Sequence, residues 1–406
     1  MPKLLQINVT ANWGSTGKIA EDIGKVAMSN GWESYIAYGR DTKPKSTSNL
    51  FRIGNNWDMY YHGLQSRIFD KHGLASTIAT KDFIEKVKQI EPDIIHLHNI
   101  HGYYINYKVL FKYLATINTP IIWTLHDCWP MTGHCAHFDA VGCNKWKTNC
   151  SNCPLKREFP KSLLFDNSSN NHKLKKLLFS SLKNVTIVPV SKWLANIVSD
   201  SYLSCYNIHT ISNGIDINIF KKCSHNTLRE KLAIGNKTVL LGVATTWNAK
   251  KGLNDFIRLS KALPEKFQII LVGIDNSLKK ELPNNIITLK KTNSQQELAE
   301  LYSMAEIVLN LSYEETFGLT TVEGFACGTP GIVYNKTASP ELITPETGIV
   351  VKEAGNTIEI IEAINKISNN GKEHYTAACR ERAIKCYNKD DKFYEYIKLY
   401  NSLLAK

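Results

Sequence analysis

Glu315 and Glu323 stand in the stretch LSYEETFGLTTVEGFACGTPGIV, residues 311–333, with seven residues between them. A strand is expected to end at Leu311 and a helix of small residues to begin near Phe317-Gly318. That places Glu315 in the loop and Glu323 two turns into the helix, so both carboxylates reach one ligand. The backbone amides of Phe317, Gly318 and Leu319 then face an anion, as amides at a helix start do. Carboxylates accept hydrogen bonds from sugar hydroxyls and the amides take phosphate oxygens, so the block reads as a site for a phosphorylated sugar. An isolated pair of glutamates would more simply cap a helix and pair with a surface lysine.

A second anion site is expected at NWGSTGKIAEDIG, residues 12–24, just after the apolar run Leu4-Leu5-Gln6-Ile7-Asn8-Val9. The phosphate-cradling pattern G-x-x-x-x-G-K-[ST] fails there, because Asn12 replaces its first glycine and Ile19 its metal-binding hydroxyl. Gly14 and Gly17 still let backbone approach a ligand, and Lys18 supplies a cation. Phosphate arriving at this turn is not expected to be ATP.

These residues need strands and helices to hold them. At 406 residues the chain exceeds one hydrophobic core, and 43% apolar with 21% charged residues is ordinary for a soluble enzyme. Strands are expected at residues 3–9, 34–38, 93–98, 120–125 and 185–190, then at 238–243, 267–272, 286–289, 306–311, 331–334 and 348–351. Amphipathic helical patterns alternate with them, as at residues 18–29, 80–89, 253–263 and 295–304. Buried, non-alternating strands separated by helices argue for parallel sheets covered on both faces. Two Rossmann-like domains follow, 1–210 and 211–386, with a helix at 387–406 returning to the first. Ligands of such sheets bind beyond the carboxyl ends of the strands, which places the site in a cleft between the two domains. No run reaches the ~18 apolar residues of a membrane span, so the cytoplasm is the expected location. Residues 1–192 carry 24 Lys and Arg against 14 Asp and Glu, whereas residues 193–406 carry 25 against 23. A basic first half fits an anionic partner such as phosphates or the inner face of an acidic membrane.

In the E-x₇-E block the sequence resembles the family-four retaining glycosyltransferases of the GT-B fold. Supporting elements are the turn at 14–18, TLHD at 124–127, VSKW at 190–193, SNGID at 212–216 and KKGL at 250–253. HDCWPMTGHC with GCNKWKTNCSNCP looks more closely like bacterial enzymes of capsule, O-antigen and exopolysaccharide assembly, including colanic-acid transferases. The resemblance implies transfer of a sugar from a nucleotide-diphosphate sugar to a glycan or lipid-linked acceptor. It assigns the donor sugar hydroxyls to Glu315, the ribose to Glu323, the diphosphate to Lys251 and the neighbourhood of the anomeric carbon to His126. It also implies catalysis without a metal or a dedicated general base, since the leaving phosphate helps to deprotonate the acceptor. The arginine many relatives carry five residues before the motif lysine is Thr246 here, with Lys250 or Lys18 as substitutes. The usual Gly-Gly before the x-P-E sequence is Thr337-Ala338.

Cys135, Cys143, Cys150 and Cys153 lie in a polar insertion, residues 128–160, that has little core of its own. The closing C-x₂-C is half of a tetrahedral zinc site, with His134 and His137 as substitute ligands, so a structural zinc is one expectation and four reduced thiols the other. A zinc-stabilised nucleic-acid-binding protein would account for the charge but leaves the paired glutamates unexplained. A sugar-nucleotide epimerase of the same fold needs an acid/base pair that the sequence does not offer.

Overall fold

The structure is a computed structural model that describes residues 1–40, 44–224 and 226–405; Lys406, the end of the expected terminal segment, lies outside them. Contacts divide the chain into a first unit, Met1–Ser212 with Lys392–Lys406, and a second, Asn213–Asp391.

The first unit is built on a parallel sheet of β1 (Lys3–Asn8), β2 (Glu33–Tyr38), β3 (Asn49–Arg52), β4 (Ile94–Leu97), β5 (Ile121–Leu125), β6 (Val185–Pro189) and β7 (Asn207–Ile208). Its order is β3-β2-β1-β4-β5-β6-β7, with Leu4 opposite Ile94 and Lys3 opposite Glu33. Every residue of β4, β5 and β6 is buried, as strands covered on both faces must be. The second sheet holds β8 (Thr238–Val243), β9 (Phe267–Val272), β10 (Ile286–Leu289), β11 (Ile307–Asn310), β12 (Gly331–Tyr334) and β13 (Gly348–Val351), in the order β10-β9-β8-β11-β12-β13. Both sheets therefore reverse direction beside their first strand, at β1/β4 and at β8/β11, and such reversals open the crevice in which doubly wound sheets take ligands.

The last helix, Lys389–Leu404, packs Phe393, Tyr396, Ile397 and Tyr400 into the first unit's core beside Leu4, Ile23 and Trp32. Two hydrogen bonds fix its register: Tyr400 OH lies 2.7 Å from His96 Nδ1 and Tyr396 OH 3.0 Å from Thr124 Oγ1.

Two strands depart from the sequence expectation. Asn49–Arg52 and Asn207–Ile208 form the two edges of the first sheet, where partial exposure leaves no continuous apolar run to read. The opening helix is also longer than expected, Gly14–Ser29 against 18–29.

Candidate functional site

In the second unit the turn after β8 and the loop after β11 meet. Asn248 caps the turn Ala249–Lys251 by accepting the Lys251 N–H at 3.1 Å. Gly252 follows at φ +75°, and a Cβ there would stand 2.2 Å from the Leu311 carbonyl oxygen. Only glycine lets the lysine turn press so closely on the end of β11. The outcome is two parallel ion pairs: Lys251 Nζ lies 2.6 Å from Glu315 Oε1, and Lys250 Nζ lies 2.9 Å from Glu314 Oε2. Lys250 is thus engaged with Glu314, which the sequence reading passed over although the doublets KK and EE were its signal.

Glu315 is held through its main chain as well. Its N–H donates to Thr337 Oγ1 at 2.9 Å, and its carbonyl accepts the Ala338 N–H at 3.2 Å. Thr337 sits at φ +49°, a left-handed conformation that suits the glycine expected there and is unusual for a β-branched residue. The hydroxyl that replaces it is what braces Glu315.

The helix Leu319–Ala326 starts on Gly318, at φ +100°, with no side-chain cap and no acid in its first turn. Its first amides therefore lack an intrahelical partner and suit an anion. The Phe317 side chain is buried, edge-on to Tyr387 with ring centres 5.7 Å apart, so only its backbone is available to a ligand. Glu323 accepts a 2.8 Å hydrogen bond from Tyr302, whose phenol is raised well above its ordinary value by burial and then by the Glu323 carboxylate. Tyr302 therefore stays protonated and orients Glu323 as an acceptor.

In the first unit the corresponding residues follow β1, β4 and β5. The sequence reading expected a glycine turn ahead of the helix, but Gly14 begins the helix and Gly17 lies inside its first turn. Gly17 is buried, and a Cβ there would come within 2.6 Å of Thr10 Oγ1, so close packing by itself requires glycine at this position. Gly14 and Lys18 are exposed, and this helix too has no side-chain cap and no acid in its first turn.

His126 Nε2 lies 3.2 Å from His98 Nδ1, and His98 Nε2 lies 3.1 Å from Gln6 Oε1. Gln6 Nε2 donates to the Ala20 carbonyl at 2.8 Å, which fixes its oxygen toward His98. Burial holds His98 well below its ordinary value, so it is neutral, with its proton on Nε2 and a lone pair on Nδ1. The network thereby assigns the His126 proton to Nε2, where it is donated to His98. Burial lowers His126 to about 4, against an opposing pull from Asp127. His126 is a neutral, oriented imidazole at pH 7.

Asp127 pairs with His101, Nε2 to Oδ2 at 2.7 Å, and accepts the Trp129 N–H at 2.9 Å. Burial works to raise its carboxyl, but the His101 charge and hydrogen bond, helped by His137 and the Trp129 N–H, outweigh that and hold it at about 2. The other His101 ring nitrogen is buried without a hydrogen-bond partner among the described residues. Neither His98 nor His101 was singled out from sequence; both sit just past β4 in HLHNIH, where position alone could have marked them.

All ten cysteines lie among the described residues, and none is in a disulfide. Cys135, Cys143, Cys150 and Cys153 line one cavity of about 10 Å³, close to the size of a single water molecule. Yet among the described residues no group of three or more His, Cys, Asp and Glu side chains is arranged to hold a metal ion. The hydrogen bond between Cys135 and Cys153 raises the first thiol and lowers the second, Cys150 accepts the Gly133 N–H at 3.3 Å, and the substitute ligand His134 is paired with Asp70. The described geometry is that of four neighbouring thiols, the second of the two expectations for this cluster. Beneath it Lys175 donates to the Trp129 and Thr132 carbonyls at 2.8 and 3.0 Å, and burial lowers it to about 7.

The comparisons with known proteins agree with this geometry. Residues 21–219 match the Glycosyltransferase Family 4 description and residues 224–385 match Glycosyl transferases group 1. The putative colanic acid biosynthesis glycosyl transferase WcaC of Escherichia coli is 22% identical, covering 86% of this chain and 87% of its own. The N-acetyl-alpha-D-glucosaminyl L-malate synthase of Bacillus anthracis is 23% identical over 93% and 91% of the two chains. Among solved structures, the sucrose-phosphate synthase of Thermosynechococcus elongatus superposes with a TM-score of 0.74 at 16% identity, over 100% of both chains. Anabaena HepE in complex with UDP-glucose gives 0.69 at 16%, over 98% of this chain and 99% of its own. With a family-four domain followed by a group 1 domain on two parallel α/β sheets, the chain belongs to the family-four glycosyltransferases of the GT-B fold, near enzymes of capsule and exopolysaccharide synthesis.

Proposed function

We propose that the chain transfers a sugar, with retention at the anomeric carbon, from a nucleotide-diphosphate sugar to a glycan or lipid-linked acceptor of a bacterial surface polysaccharide. One observation carries this reading. The Lys251–Glu315 pair, the oriented Glu323 and an uncapped helix start all lie beyond the carboxyl ends of β8 and β11. In the proposed reaction Lys251 turns from Glu315 to the diphosphate and Glu315 turns to the sugar hydroxyls. Glu323 takes the ribose, and the amides of Phe317, Gly318 and Leu319 take phosphate oxygens. The anomeric C–O bond to the diphosphate breaks and a C–O bond to the acceptor oxygen forms. The acceptor proton passes to the leaving phosphate, which charge stabilisation by lysine and amides makes a better leaving group. With its Nε2 proton donated to His98, His126 is not placed to take a proton at that nitrogen. Lys18, exposed near the start of the first unit's opening helix, is a cation for phosphate in its own right.

Support for the donor class comes from HepE, whose structure holds UDP-glucose. No divalent metal takes part in this reading, and the site of action is the inner face of the cell membrane, reached from the cytoplasm. A structural zinc at Cys135, Cys143, Cys150 and Cys153 would require Cys135 and Cys153 to lose their mutual hydrogen bond and both protons. Metal analysis of protein purified without added metal decides it, one equivalent supporting zinc and under about half an equivalent refuting it.

The central test is calorimetry with a panel of UDP-, GDP- and other nucleotide sugars, comparing wild type with Glu323→Ala. One nucleotide sugar should bind, and the substitution should weaken it at least about tenfold through loss of a charge-assisted hydrogen bond. Absence of binding by every donor, or equal binding by the variant, would end the assignment.

A further inference from the structure

The helix Asn56–Phe69 is amphipathic the wrong way round. Its apolar residues Trp57, Tyr60, Tyr61 and Leu64 follow the i, i+3, i+4, i+7 spacing that normally faces a core. Here that stripe faces solvent: Trp57 is 82% exposed and Tyr60 64%, while the buried positions are the polar His62 and Ser66. The stripe does not end with the helix. Residues 163–165 run alongside its last turn, the Leu163 and Phe165 N–H groups donating to the Arg67 and Ile68 carbonyls at 2.7 and 3.2 Å. Phe165 stacks on Phe69 with ring centres 5.7 Å apart, and Leu164 is 65% exposed. Single exposed apolar residues are ordinary, but a continuous stripe marks a surface that meets something.

We propose that this face docks the first unit on a bilayer containing anionic lipid. Trp and Tyr side chains with an apolar body and a polar edge favour the headgroup boundary, and a helix lying in that plane buries such a stripe. Exposed Arg67 lies in the helix's last turn, exposed Lys71 sets its Nζ 5.5 Å from the Phe69 ring centre, and exposed Arg157 and Lys161 lie on the segment that leads into Leu163–Phe165. Of the exposed acids on the same segment, Glu158 and Asp166, the latter is tied to the Cys153 and Ser168 N–H groups. This basic rim complements acidic headgroups. It also disfavours a second copy of the chain, because a two-fold interface would set the rim against itself. Phe159, in the same segment as Leu164, packs within 5.9 Å of the His101 ring that pairs with Asp127. Docking would thus bring the His101–Asp127 pair close to the lipid surface, which suits the lipid-linked acceptor of the function proposed above.

The inference rests on that reading for its purpose but is tested without it. Purified full chain is floated with vesicles of phosphatidylcholine alone and with vesicles that also contain phosphatidylglycerol, neither carrying a sugar substrate. Wild type should float with the mixed vesicles and come off as salt is raised. Trp57→Ser with Leu164→Ser, and separately Arg157→Ser with Lys161→Ser, should each lower binding at least about tenfold. Nucleotide-sugar affinity should be unchanged in both, which confirms folding and separates this proposal from the glycosyltransferase assignment. Failure of wild type to bind either vesicle overturns docking, as does equal binding by the variants. Sedimentation showing a dimer that Trp57→Ser with Leu164→Ser dissociates would give the face to a second copy instead.

Discussion

Lys251 and Glu315 neutralise each other at 2.6 Å, with side chains 33% and 17% exposed, so solvent screens much of their mutual attraction. A pair so placed adds well under about 1 kcal/mol to stability, and its value lies in holding a cation and a carboxylate ready for exchange onto a ligand. Lys251→Ala and Glu315→Ala should each lower kcat/KM about a hundredfold or more while the melting temperature hardly moves. Because the two act on one ligand, the double variant should lose far less than the product of the single effects. Strictly multiplicative losses would show that they work apart. Glu315 and Glu323 could be singled out in the sequence because their spacing and neighbours are local, whereas Lys251 was singled out through the family resemblance. Glu314, His98 and His101 carried only a weak positional signal, since their roles arise from contacts between segments far apart in sequence: His98 gains its partner only when β1 brings Gln6 beside β4.

Two turns do the positioning at the level of elements, and they call for different tests. Gly252 is fixed by its left-handed φ and by the Leu311 carbonyl, so Gly252→Ala strains the backbone and pushes the lysine turn off β11. The cost should be about 1–3 kcal/mol, read as a lower melting temperature accompanied by lost transfer. Lys18 is exposed on the opening helix, so Lys18→Ala should lower transfer and leave stability intact. Equal turnover in that variant would make Lys18 an ordinary surface lysine. Central strands such as β5 and β9 could be read from the sequence because burial on both faces writes a continuous apolar run. The edge strands β3 and β7 write none, and the start of the opening helix was obscured by two glycines that usually mark a turn, of which Gly17 here packs against Thr10 inside the helix.

Across the whole molecule, the titrating groups are unevenly divided. His62, His72, His96, His98, His126 and His172 all lie in the first unit, and burial lowers each of them, His62 to about 3 and His126 to about 4. Each is depressed on folding from 6.5, so its contribution to stability is complete above that pH. As the pH falls below 6.5 the unfolded chain takes up protons that the folded unit refuses, and stability drops until the folded value is reached. The slope is about 1.4 kcal/mol per pH unit for each such histidine. All six of these lowered histidines belong to the first unit, so acid should loosen that unit selectively. Tryptophan fluorescence reads that unit almost alone, because Trp247 is the second unit's one tryptophan among eight. In urea at pH 5 its midpoint should fall well below the value at pH 7, ahead of the bulk of the far-ultraviolet dichroism. Coincident midpoints at the two pH values would mean that these histidines find proton partners on unfolding as poor as those they have in the fold, and the linkage argument would fail with them.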